Sequence, residues 1–173
     1  MDIASAVDEV LEPWRATLGA DLTPYRNHVC RVAHFCCALH PCDADAARRV
    51  VIAACFHDLG IWPSLTLDYL PPSVERARDY LRANDRTDWA EEVALMIDEH
   101  HRLTAVQSPL EEAFRRADLV DVTLGLVRFG LPRERVAEVR ARFPNAGFHR
   151  RLVRLGLGWI PRHPLRPLPF LRW

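Results

Sequence analysis

The side chains best suited to chemistry fall in a few short motifs. The stretch "CFHDLG" places His57 and Asp58 side by side at the end of an apolar run, Val50 to Phe56. Burying two ionisable groups is costly unless each is paired or coordinated. His28 stands in "YRNHVCRV", His100 and His101 are adjacent in "MIDEHHRLT", and "FRRADLVDV" carries Asp118 and Asp121. Imidazoles and carboxylates together form a borderline-hard donor set, suited to Mn, Fe, Co, Ni or Zn more than to Ca or Mg. An ion held by such groups keeps positions open for water and a substrate oxygen, where it can acidify the water and polarise a phosphoryl group. Plainer roles exist for each residue. A core histidine bonded to backbone would account for His28, and a helix C-terminus favours the charge of His57, His100 or His101.

The order of these motifs resembles the HD-domain superfamily of metal-dependent phosphohydrolases, in which a histidine, a His-Asp pair and a distal aspartate sit on helices of one bundle. The resemblance spans roughly His28 to Asp121. It implies His28, His57, Asp58 and Asp118 as metal ligands, with Asp118 preferred to Asp121. One divalent transition-metal ion is expected, and a second would rely on Asp58 with His100 or His101. The implied activity is hydrolysis of a phosphate ester, a nucleotide or another small phosphorylated metabolite, by a metal-activated water. Two departures stand out. No histidine lies between Asp58 and His100, and the residues after the pair, "LGIWPS", include no carboxylate. A general base must therefore come from elsewhere, with Asp121, Glu99 and Asp68 as candidates beside a catalytic role for Asp58. The same superfamily includes iron oxygenases and hydratase- or lyase-type enzymes, and a non-catalytic regulatory module would keep the fold and lose the turnover.

Substrate contacts are expected from Arg115, one helical turn before Asp118 and able to grip a phosphate bidentately. Arg26, close to His28, is a further candidate. The loop Gly60 to Ser73 starts at the His-Asp pair and offers Trp62, Ser64, Thr66, Asp68 and Tyr69 as a pocket wall or lid.

These groups need helices to position them, and the pattern supplies helices. Ile3, Val7, Val10, Leu11 and Trp14 have helical spacing up to Pro13. Thr23-Pro24 reads as a helix start. A helix from Asp43 or Asp45 contains the apolar run and reads as a central helix buried all round. Further helices are expected over Ser73 to Asn84, Thr87 to His101, from the capping-box sequence "SPLE" at Ser108 to about Phe129, from Pro132 and from about Asn145. The class is all-α: a single-domain helical bundle over residues 1–155, with residues 156–173 as an irregular Pro-rich, aromatic tail packed on it.

Composition agrees with a globular domain: 173 residues, 49% hydrophobic and 27% charged, with a formal net charge of +0. That balance predicts no overall field toward nucleic-acid polymers or membranes. A small-molecule substrate and a homodimer are the expected partners. The N-terminus lacks the basic segment of a signal peptide, and the five cysteines show no CxxC spacing, so a cytoplasmic chain with reduced thiols is expected.

Overall fold

The computed structural model describes residues 1–64, 67–165 and 169–171, and those residues form helices, turns and connections with no strand. Thr66 and the Ser64 side chain of the Gly60–Ser73 loop lie outside the described residues, as do 166–168 and 172–173 of the tail. The helices are α1 (Ile3–Leu11), α2 (Arg15–Leu18), α3 (Leu22–Leu39), α4 (Ala44–Phe56), α5 (Ile61–Ser64), α6 (Leu70–Ala83), α7 (Ala90–Glu99), α8 (Pro109–Val122), α9 (Arg133–Arg142) and α10 (Phe148–Trp159).

The apolar run of α4 makes it the central helix. Asp43 caps it, its carboxylate accepting from the Ala46 N–H at 2.7 Å. Val50 to Phe56 are all buried, and α4 packs on α1, α3 and α7. Full burial of each Val, Ile or Phe side chain is worth about 1.5–3 kcal/mol, so this run contributes much of the hydrophobic stability. The long helix α3 packs most extensively against α8 and next on α4. Together α3, α4, α7 and α8 enclose one hydrophobic core into which the chemical motifs point.

Several boundaries differ from the sequence expectation. Helix α3 begins at Leu22, so Thr23 and Pro24 lie within its first turn, where a proline N–H has no intrahelical role. The capping box at Ser108 is not formed, because its hydroxyl bonds the Glu111 carboxylate instead of a backbone N–H. Helix α8 stops at Val122 rather than Phe129. Leu124 and Gly125 turn to positive φ (58° and 83°), which closes its C-terminus. Helix α10 runs through Trp159, beyond the expected start of the tail at residue 156. The first proline there is Pro161, so nothing earlier removes a helical N–H. The cysteines are free thiols, and burial pushes the Cys30 thiol up to about 12. No helix of the described residues is long and apolar enough to cross a membrane.

Candidate metal centre

Four helices deliver the motifs to one buried point. His28 and Arg31 are three apart on α3, on the face packed against α8, and α8 returns Asp118 and Asp121 with the same spacing. His57 is held at the end of α4 by its own N–H, which bonds Ala53 O at 2.8 Å. The turn that follows must be tight. A Cβ at Gly60 would collide with the Tyr69 carbonyl oxygen and lie 2.7 Å from Ser73 Oγ. The glycine N–H instead bonds Ser73 Oγ at 3.0 Å, pinning the His-Asp turn to the start of α6.

The second nitrogen of each imidazole sets its tautomer. His57 Nδ1 donates to Ala54 O and His100 Nδ1 to Ile97 O, both at 2.7 Å. His28 Nδ1 donates to Asp121 Oδ2 at 2.7 Å. With Nδ1 protonated in each case, the Nε2 lone pairs point inward. His28 Nε2 and His57 Nε2 are 3.0 Å apart, so two acceptors face each other across a gap that calls for a cation. Asp58 Oδ2 lies 3.5 Å from His57 Nε2 and 3.8 Å from His28 Nε2. Asp118 Oδ1 lies 3.6 Å from His28 Nε2 and 3.8 Å from His57 Nε2. Metal–ligand bonds of about 2.0–2.2 Å place neighbouring donor atoms ~3–3.6 Å apart, close to this spacing.

The other Asp58 oxygen faces away toward a second group. Asp58 Oδ1 is 3.6 Å from His100 Nε2, too far for a hydrogen bond, and both atoms are buried without a partner. Buried polar atoms are rarely left so, and a coordinated ion would satisfy both. His101 completes the second group, and its Nε2 is already bonded to the Tyr69 hydroxyl at 2.7 Å. The donor atoms of His28, His57 and Asp58 therefore lie close enough together to hold a metal ion, with Asp118 Oδ1 3.6 Å from His28 Nε2, and Asp58, His100 and His101 form a second potential group.

The charges are tuned in opposite directions. Burial, with His100 and His28 adding to it, lowers His57 to about 3 despite Asp58 nearby, so it is a neutral imidazole ready to ligate. Burial would raise Asp58, but His57, His100 and His28 outweigh it and hold the carboxyl well below its usual range. Asp118 goes the other way, raised to about 6 by burial, with Asp58 and Asp121 opposing the relief from His100 and His28. Burial also disfavours charge on His100, yet the Asp58 and Asp118 carboxylates lift it above its usual value.

Behind the centre, Arg31 forks onto Asp121 at 2.5 and 2.8 Å, and its remaining arm bonds Phe143 O at 2.8 Å. Asp121 is thus spent on Arg31 and His28, with both oxygens engaged and its carboxyl held well below the usual range. It orients the His28 ring rather than facing the interior of the cluster. Phe148, at the start of α10, stacks on the other side of that ring at 4.1 Å.

The remaining candidates are scattered. Glu99 pairs with Arg102 at 3.0 Å. Arg26 forks onto Asp8 of α1 at 2.5 and 2.8 Å. Trp62 is buried, donating to Asp21 Oδ2 at 2.9 Å and lying 4.6 Å from the Tyr25 ring. Asp68 is exposed. Arg115 stands beside the centre in a cleft of about 190 Å³ lined also by His100, His101, Arg102 and Asp118. Its guanidinium is committed to Glu112, with two bonds of 2.8 Å, and to Arg102 O at 3.2 Å. Sequence reading missed Arg31, whose signal was its place one turn after His28 on the same buried face.

No family model, curated protein or solved structure matches the chain.

Proposed function

We propose that the chain is a metal-dependent hydrolase of small phosphate esters, of the HD-domain type that its motif order resembles. The observation that carries this reading is the pair of inward Nε2 lone pairs of His28 and His57, 3.0 Å apart and faced by the Asp58 and Asp118 carboxylates. A divalent ion held there would supply Lewis acidity, lowering the pKa of a water and polarising a phosphoryl oxygen. The chain's own residues do the rest. Asp121 and Arg31 fix the His28 ring, Ala54 O and Ile97 O fix His57 and His100, and the cleft beside Asp118 is where a small phosphate ester would approach. Asp58, shared between the two histidine groups, favours a second reading, a two-ion iron oxygenase of the same superfamily.

The test is metal analysis of the purified protein joined to turnover. Stoichiometric transition metal, hydrolysis of a panel of nucleotides and phosphorylated metabolites, and loss of both in His57→Ala would support the hydrolase. Iron with oxygen-dependent turnover and no phosphate release would favour the oxygenase. Protein that binds no metal even after loading would sink both.

A further inference from the structure

The net charge of +0 conceals a strong segregation. Residues 139–173 carry eight arginines and no aspartate or glutamate, so the other 15 arginines face all 23 acids in the rest of the chain. Within the basic segment, α10 has two unlike faces. Phe148, Leu152 and Leu155 pack toward the core. Val153, Leu157 and Ile160, at i, i+4 and i+7, form a ridge on the opposite side, with Val153 61% and Leu157 70% exposed. Leu165 continues the apolar surface beyond the helix at 96% exposure. Arg150 and Arg154 run along one side of the ridge. Arg151 is paired with Asp21, whereas Arg150, Arg154 and Arg162 have no ion-pair partner among the described residues. Against α10 lies a cleft of about 300 Å³ lined by Leu67, Arg154, Leu155, Trp159, Arg162 and His163, which joins cationic groups to an apolar wall.

We propose that α10 and the basic segment after it form a docking surface for an anionic lipid bilayer, with the Val153–Leu157–Ile160 ridge entering the interface and the flanking arginines meeting lipid phosphates. Charge complementarity and shape select this occupant. A convex single helix with an aliphatic ridge bordered by arginines matches the amphipathic helices that lie in the plane of a membrane surface. A nucleic-acid polymer would use the arginines and leave the aliphatic ridge in water. A second copy docking ridge to ridge would bring two arginine-only segments together. The surface also adjoins the metal centre through Phe148 but does not depend on what that centre does.

Flotation of the purified chain with vesicles tests this. Vesicles of equal parts phosphatidylcholine and phosphatidylserine should carry the protein up the gradient, vesicles of phosphatidylcholine alone should not, and added salt should release it. Each arginine removed near such a surface lowers partition by about fivefold, so Arg150→Ala with Arg154→Ala should lower it by about 25-fold. Val153→Ser with Leu157→Ser, at exposed positions that leave the fold intact by circular dichroism, should also reduce binding. Absence of flotation, equal flotation with neutral vesicles, or unchanged binding by the serine double variant would overturn the proposal. So would retention on a polyribonucleotide without vesicle binding, or a concentration-dependent dimer that the serine variant abolishes while vesicles bind nothing.

Discussion

The candidate metal centre and the outer face of α10 invert the usual placement of side chains in opposite senses. At the centre, ionisable groups are inside: His28, His57, Asp58, Asp118 and Asp121 are all buried. On α10, aliphatic groups are outside, with Leu157 among the most exposed. Each inversion costs stability unless something offsets it, and the offset differs. The centre is held by the protein itself, through Arg31 on Asp121 and backbone carbonyls on His57 and His100, while among the described residues Asp58 Oδ1 and His100 Nε2 stay unsatisfied and the inward nitrogens of His28 and His57 face each other. The α10 ridge has no such internal support. A site that is pre-organised but incomplete suits a small ion, and an open ridge suits a large surface.

The sharpest way to break the first half of that contrast is Arg31→Met. Asp121 would then keep a buried charge with only His28 as its partner, and loss of one member of a buried pair costs about 3–5 kcal/mol. Urea unfolding should show that loss, and adding Asp121→Leu should recover part of it by removing the orphaned charge. A loss no larger than that of a surface substitution would mean that the clamp does not organise the centre. The next largest effect is metal binding. At a free zinc or manganese concentration about 100-fold above its Kd, the ion should stabilise the fold by about 2.7 kcal/mol, read as a rise in Tm. His57→Ala should abolish the rise, and an equal rise in that variant would place the ion elsewhere.

How much of this was readable in the sequence depends on how far each interaction reaches. The order of His28, His57-Asp58, His100-His101 and Asp118 was legible because each motif is local, and the apolar run of α4 fixed which helix lies at the centre. That these side chains converge is a tertiary fact, consistent with the order but not contained in any one motif. The Arg31–Asp121 fork joins residues 90 apart, and no local pattern announces such a pairing. Arg26 and Glu99 were candidates because they stand near the motifs, yet each has a closer opposite charge, Asp8 for one and Arg102 for the other. The end of α8 is not legible in the sequence because its stop comes from left-handed backbone at Leu124, a residue with no intrinsic liking for that region. The basic segment was hidden by averaging charge over the whole chain.

A smaller effect concerns the ion pairs at the cleft rim. Arg115, with further help from the Val106 N–H and Arg116, lowers Glu112 from its usual 4.5 to about 2. A depressed folded-state pKa contributes stability above the unfolded value and loses it as pH falls through the folded one. The Glu112 contribution should therefore be complete above about pH 4.5 and fade towards pH 2. Acid unfolding of Glu112→Gln should consequently fall less steeply over that window than the parent protein. A parallel profile would show that the fork with Arg115 is as strong in the unfolded chain, or absent in both.

The smallest expected effect is that of Leu157→Ala, read against the same substitution at Leu59. Leu59 is fully buried beside the His-Asp turn, and Leu157 is 70% exposed on α10. Leu59→Ala should cost about 2–5 kcal/mol through lost burial and the cavity it leaves. Leu157→Ala should stay within about 0.5 kcal/mol, since alanine is the better helix former and the isobutyl group is already in water. Denaturant midpoints of both variants, taken without lipid and at several protein concentrations, decide the matter. If Leu157→Ala destabilised nearly as much as Leu59→Ala, and did so only at high concentration, the ridge would be covered by another copy in solution. The α10 face would then be a protein interface already satisfied, and the contrast between a self-supported centre and an open ridge would dissolve.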